Sequence, residues 1–243
     1  MERPSEAIPH KRILTDYKLE EMLWSERSLN RLRNLAKGKQ QSLEWRHRVQ
    51  YAVSHTINDY YSLTPEVRRE VPIQYLLEKR WPKHTTDFES SDHFWNVKWG
   101  VTDELVRLLT QHTELLQPVL LYEEHKAYIS DLHMDLSVIF QVAWQPDHMV
   151  QKGLYIQKYI VNYHEEVIRA YQNMMIVFCH HAFGCIPERI EVNCLLDRRK
   201  ITLIPDEHRY DEALDYVKLV TPLCLDTVGA SDIPLYDAPS KVN

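Results

Sequence analysis

Asp131, His133 and Asp135 alternate with Leu132, Met134 and Leu136 in one stretch of the chain. In an extended strand, side chains two apart share a face, which would set these three about 6.8 Å apart at ~3.4 Å per residue. Glu123 and Glu124 precede them by a few residues. Carboxylates that converge from neighbouring strands suit a hard divalent cation such as Mg²⁺, which takes oxygen ligands and keeps several waters. The candidate metal ligands are therefore Asp135 and Glu124. A solvated sheet face would carry the same residues, and alternation alone does not choose between the two.

Other reactive side chains cluster less well. Cys179, Cys185, Cys194 and Cys224 form no C-x-x-C pair, and His180 and His181, adjacent on a helix, point about 100° apart. Buried thiols are expected there rather than a zinc or iron–sulfur site. His164-Glu165-Glu166 is not H-E-x-x-H, because Ile168 stands four positions after His164. Over residues 27–48, Arg27, Arg31, Arg33, Lys37, Lys39, Arg46 and Arg48 face only Glu44, a local net charge of +6 that could track phosphates. Trp45 and His47 interleave with it. A solvated helix face would read the same.

Two periodicities must position these groups. Residues 1–117 read as helices: Leu14 to Gly38, Trp45 to Tyr60, Pro65 to Arg80 with a break at Pro72, and Ser91 to Leu116. The period then shortens. Val119–Tyr122, Ala127–Ile129, Leu132–Val142 and Leu154–Val161 read as strands, with Leu132, Met134, Leu136, Val138, Phe140 and Val142 on one face. Tyr163 to Phe183 reads as a long helix stopped by Gly184, followed by a strand near Ile190, another at Lys200–Ile204, and a helix from about Glu207 to Leu219. The fold class expected is α/β of the α+β kind: a helical N-terminal half, a mixed central sheet with flanking helices over 118–225, and an extended tail over 226–243, all one domain.

Composition narrows the function. The chain has 243 residues, a net charge of −6 and only five isolated glycines, so no dinucleotide fingerprint, P-loop or nucleophile elbow can be written. Its longest apolar run, Met174 to Cys179, is far short of the ~20 residues that span a bilayer. The first residues lack the apolar core of a secretory signal. A soluble, cytoplasmic protein without a membrane partner is expected.

The order of elements resembles the RecB-like branch of the PD-(D/E)XK nucleases over about residues 40–220. Val53-Ser54-His55 lies on a helix, Leu132-His133-Met134-Asp135 stands where that branch has G-x-[IV]-D, and Tyr155-Ile156-Gln157-Lys158-Tyr159 stands where it has [DE]-x-K. Gln172-Asn173-Met174-Met175-Ile176 matches Q-x-x-x-Y at its first position, and Gly184-Cys185-Ile186-Pro187 leads into a strand as the family's G-x-x-P turn does. The resemblance implies a restriction-endonuclease-like core and a site of Asp135, Gln157, Lys158, His55 and Gln172 around Mg²⁺. The departures fall on the chemistry. With Gln157 as the acid, the lysine position is Tyr159; with Lys158 as the lysine, the acid position is Ile156. Either register loses an essential group, which implies a degenerate nuclease acting as a DNA-associated or assembly module. Three partnerships remain open: DNA along Arg31, Arg33, Lys37, Lys39, Arg46 and Arg48; protein subunits through an aromatic surface and the tail; or a place in a virus particle, in the virion or the host cytoplasm. An active Mg²⁺-dependent nuclease is the alternative.

Overall fold

Alternating apolar residues between 118 and 203 supply five strands of a six-stranded mixed sheet, residues 13–15 supply the sixth, and amphipathic helices cover both of its faces. A computed structural model describes residues 12–24, 44–111, 117–145, 153–206 and 208–225. The strands are β1 (Ile13–Thr15), β2 (Leu120–Ile129), β3 (Met134–Trp144), β4 (Tyr155–Ile160), β5 (Arg189–Cys194) and β6 (Arg199–Leu203). β2, β3 and β4 form an antiparallel meander, β5 lies parallel to β4, and β6 returns antiparallel on β5. β1 pairs in parallel with β3. The crossover from β4 to β5 is helix α6 (Glu165–Phe183), as a parallel connection requires.

Before the sheet come α1 (residues 16–24), α2 (Glu44–Ser62), α3 (Pro65–Glu70), α4 (Ile73–Arg80) and α5 (Ser91–Thr110). Pro65 opens α3, and Pro72 divides α3 from α4 because a proline interior to a helix forfeits a hydrogen bond. The final helix is α7 (Arg209–Leu225). Leu14, Leu19, Leu136, Phe140, Ile156, Met174 and Phe178 belong to the core on the α6–α7 side. Trp45, Val53, Ile57, Leu105, Val142, Trp144 and Tyr159 belong to the core on the α2–α5 side.

Three local expectations need correction. Leu14 lies in a strand rather than a helix, so the first 117 residues are not wholly helical. Asp131 lies in a 3₁₀ turn (Ser130–Leu132) and His133 is left-handed at φ 50°, so neither shares a strand face with Asp135. The alternation along β3 also breaks: Phe140 faces the α6 side, while Gln141, Val142 and Trp144 face the α2 side. The switch of faces adds no residue to β3, because the β2–β3 register is the same on either side of it. Opposite it, Tyr122 interrupts the β2–β3 ladder with φ 51°. The extra C-terminal length expected of α5 and the tail at 226–243 lie outside the described residues, as does the helix reading over 25–38.

α6 begins on His164, whose Nδ1 accepts the Val167 N–H, and ends on Gly184. Gly184 has φ 72°, and its N–H donates to the His180 carbonyl at 3.1 Å. A Cβ there would meet nothing within 4 Å, so any penalty comes from the backbone alone. Gly184→Ala is expected to cost about 1–2 kcal/mol in urea unfolding, with Gly184→Asn costing less because asparagine tolerates that conformation. Equal stability of Gly184→Ala and wild type would contradict the left-handed cap.

Candidate functional site

The sheet forks at β3, which offers one edge to two partners. Asp135 to Ser137 pair with β1, and Val142 to Trp144 pair with β4. Between these stretches β4 parts from β3, and two glutamine side chains take over the missing ladder. Gln141 Oε1 accepts the Tyr159 N–H at 2.7 Å and its Nε2 donates to the Tyr159 carbonyl at 3.3 Å. Gln50 of α2 donates to the same carbonyl at 2.8 Å and accepts the Val161 N–H at 3.0 Å. The Ser54 hydroxyl ties both amides together, accepting from Gln141 at 3.1 Å and Gln50 at 3.5 Å. Backbone groups buried without partners cost about 1–3 kcal/mol each, which is what these amides avert.

α1 closes the opening beside β4. Lys158, on the α6 side of β4, places its Nζ 2.9 Å from Glu20 Oε2 and 3.9 Å from Asp16 Oδ2, both on α1. The ammonium also lies 4.2 Å from the centre of the Tyr171 ring of α6. Lys158 is 6% exposed and Asp16 7%. Burial works against the Lys158 charge, but Glu20 and Asp16 outweigh it and hold the pKa above that of ordinary lysine. Burial pushes Asp16 up to about 6, with Lys158 pulling the other way. A cavity of about 10 Å³, on the scale of one water, lies among Asp16, Glu20, Lys158 and Tyr171. Next to it, Glu20, Trp24, Arg46 and Gln50 line a cleft of about 40 Å³.

Gln157, expected beside Asp135, stands far along the sheet from it. β4 pairs Gln157 with Val142, seven residues along β3 from Asp135, or about 23 Å at ~3.3 Å per residue. Glu124 stands opposite Ile139, about 13 Å along the ladder from Asp135 by the same rise. Its carboxylate accepts from the Ser137 hydroxyl at 2.5 Å and lies 3.3 Å from Lys126 Nζ. Asp135 is buried at the start of β3, its N–H bonded to the Arg12 carbonyl. Among the described residues no group of three or more His, Cys, Asp and Glu could hold a metal ion.

Gln157 belongs to the opposite face from Lys158. Trp144 Nε1 donates to its Oε1 at 2.9 Å, and its Nε2 donates to the Tyr155 hydroxyl at 2.5 Å and to Glu191 Oε1 at 3.1 Å. Lys200 completes that network, 3.3 Å from Glu191. His55, half-buried on α2, packs its ring on Tyr51 and Tyr122; burial first, then Arg80, lowers its pKa. Gln172 sits one position beyond Tyr171, so the tyrosine and not the glutamine reaches the lysine. Arg46 donates to Asn162 Oδ1 at 3.1 Å and stacks over Trp24 at 4.1 Å, and Arg48 pairs with Asp87. Arg31, Arg33, Lys37 and Lys39 lie outside the described residues. Cys179, Cys194 and Cys224 are buried, and burial raises the Cys179 thiol far above its usual range.

Asp16, Glu20, Gln50 and Tyr171 carry no motif that marks them in the sequence, and Gln141 is legible there only as one polar residue of an alternating strand. One signal was present: like charges at i and i+4, Asp16 and Glu20, repel on a lone helix and so call for a cation between them. No protein-family model matches this chain, and no curated protein matches it. Among the described residues, no helix is long and apolar enough to cross a membrane.

Proposed function

We propose that this chain is a catalytically silent relative of the RecB-like PD-(D/E)XK nucleases, kept as an assembly module that acts by contact rather than by hydrolysis. Support for the relationship comes from the sheet: its path β2-β3-β4-β5-β6, with α6 crossing between the parallel pair β4 and β5, has the order that the resemblance implies. The observation that carries the silence is the surroundings of Lys158. On its face of the sheet, the residue two positions earlier is Ile156 and the residue across from Ile156 on β3 is Ala143, both fully buried in the apolar core. Carboxylates are needed there to hold a cation beside the attacking water, and apolar side chains supply none. The ammonium is instead engaged by Asp16 and Glu20.

Protein subunits are the favoured partners, because Arg46 engages Asn162 and Trp24 and Arg48 pairs with Asp87, while Trp95, Trp99, Tyr75 and Tyr128 remain exposed. DNA is the second reading, carried by the net charge of +6 over residues 27–48.

With Mg²⁺ or Mn²⁺ supplied, linear duplex and single-stranded DNA are expected to remain as intact as in EDTA. Metal-dependent digestion that disappears in Asp135→Ala or Lys158→Gln would make the protein an enzyme and overturn this reading. Fluorescence titration of labelled DNA separates the partners. Tight binding lost in the Arg31→Ala/Arg33→Ala/Lys37→Ala/Lys39→Ala variant would replace the protein partner with DNA.

A further inference from the structure

The cluster at the fork holds two carboxylates against one ammonium. Lys158 supplies a single positive charge to Asp16 and Glu20; Lys158 and Asp16 are buried, and Glu20 is partly exposed at the edge of the pocket. Three buried oxygens facing this point lack hydrogen-bond partners: Asp16 Oδ1, the Tyr122 hydroxyl and the Tyr171 hydroxyl. A surplus negative charge away from water is costly, and the group bearing it neutralises where it can. The carboxylates belong to α1, whereas Lys158 belongs to β4, so this imbalance exists only while β1 and α1 are seated in the fork. We infer that β1 and α1 form a strap whose docking takes up a proton on Asp16, so that the strap holds more tightly at mildly acidic pH than at neutral pH.

The groups around Asp16 are consistent with that assignment. Glu20 adds like charge from its own helix, Lys158 faces it from β4, and Tyr122 and Tyr171 face it from β2 and α6. From β3 it meets only backbone, at Ile139. His55 lies beside Tyr122 on α2, His164 lies beside Trp24 at the start of α6, and His47 of α2 lines the cleft that Glu20 and Trp24 share.

An undocked Asp16 has the ordinary value of 3.8, and a docked one about 6. The docked state therefore binds more protons between these values, and docking strengthens as pH falls through 6. Linkage between those two values gives about a tenfold gain in docking from pH 7.5 to pH 5. The lowered pKa of His55 acts in the opposite sense, since a neutral buried histidine loses stability on acidification, and it does so equally in the variants below.

Hydrogen exchange of the backbone amides from Leu19 to Trp24, corrected for intrinsic rates, tests the strap. Wild type is expected to gain about tenfold protection between pH 7.5 and pH 5. Asp16→Asn, which cannot titrate, is expected to lose that gain, and Glu20→Gln, which removes the like charge but leaves Asp16 buried, is expected to reduce it. Should Asp16→Asn fail to fold, Glu20→Gln carries the decision. A flat wild-type profile, or an undiminished gain in the variants, would overturn the inference.

Discussion

Lys158→Met is expected to lower stability by about 3–5 kcal/mol in urea unfolding, the usual cost of removing one partner of a buried ion pair. Methionine nearly matches the lysine stem in volume, so packing around Val167, Ala170 and Met174 changes little. What changes is that Asp16 and Glu20 face each other with no cation between them. The triple variant Lys158→Met/Asp16→Asn/Glu20→Gln isolates that cause, because it removes all three charges together. It is expected to recover most of the loss, since apolar or neutral replacements of whole buried ion clusters are often neutral or stabilising. A single variant as stable as wild type would show that the cluster is open to water. A triple variant no better than the single would place the loss in packing.

Gln141→Leu is expected to cost about 3–5 kcal/mol, from one orphaned amide at ~1–3 kcal/mol and two further lost bonds, to the Tyr159 carbonyl and the Ser54 hydroxyl, at ~1 kcal/mol each. Leucine fits the space but leaves the Tyr159 N–H without an acceptor in a buried site. The Tyr159 carbonyl keeps its bond from Gln50. Because Gln50 and Gln141 share Tyr159 and Ser54, their effects should not add: the double Leu variant is expected to deviate from the sum by at least ~0.5 kcal/mol. Strict additivity in urea unfolding would mean that the two amides do not act as one clamp.

Much of the architecture was legible from local pattern. The change from helical to alternating spacing near Pro118 marked the meander, and Gly184 marked the end of α6, because both follow from backbone geometry that any neighbour must respect. β1 was not legible. Three residues, Ile13-Leu14-Thr15, run directly into a helix, and Leu14 fits the helical spacing of Leu19 and Met22 as well as it fits a strand. The expected Asp135–Gln157 site was lost for another reason. Sequence order placed the two residues on neighbouring strands, which they are, but a hairpin turning between Trp144 and Tyr155 sets Gln157 against Val142 rather than Asp135. The Lys158 cluster depends on α1, more than a hundred positions away in sequence, so no spacing rule could assemble it.

The parallel pairing of β1 with β3 also sets a timetable. Ile13 leaves the ribosome about 120 positions ahead of its partner Asp135, a wait of about 6–24 s at ~5–20 residues per second. Through that interval Leu14, Leu19 and Met22 have no sheet to enter, and they remain available to chaperones or to other nascent chains. β3 can collapse onto β2 at once, since their hairpin closes over a few residues, whereas β1 must close one of the longest loops in the molecule. A segment made so far ahead of its partner must wait for it, and the yield of newly made protein hinges on how well β1 and α1 are kept from straying in that interval.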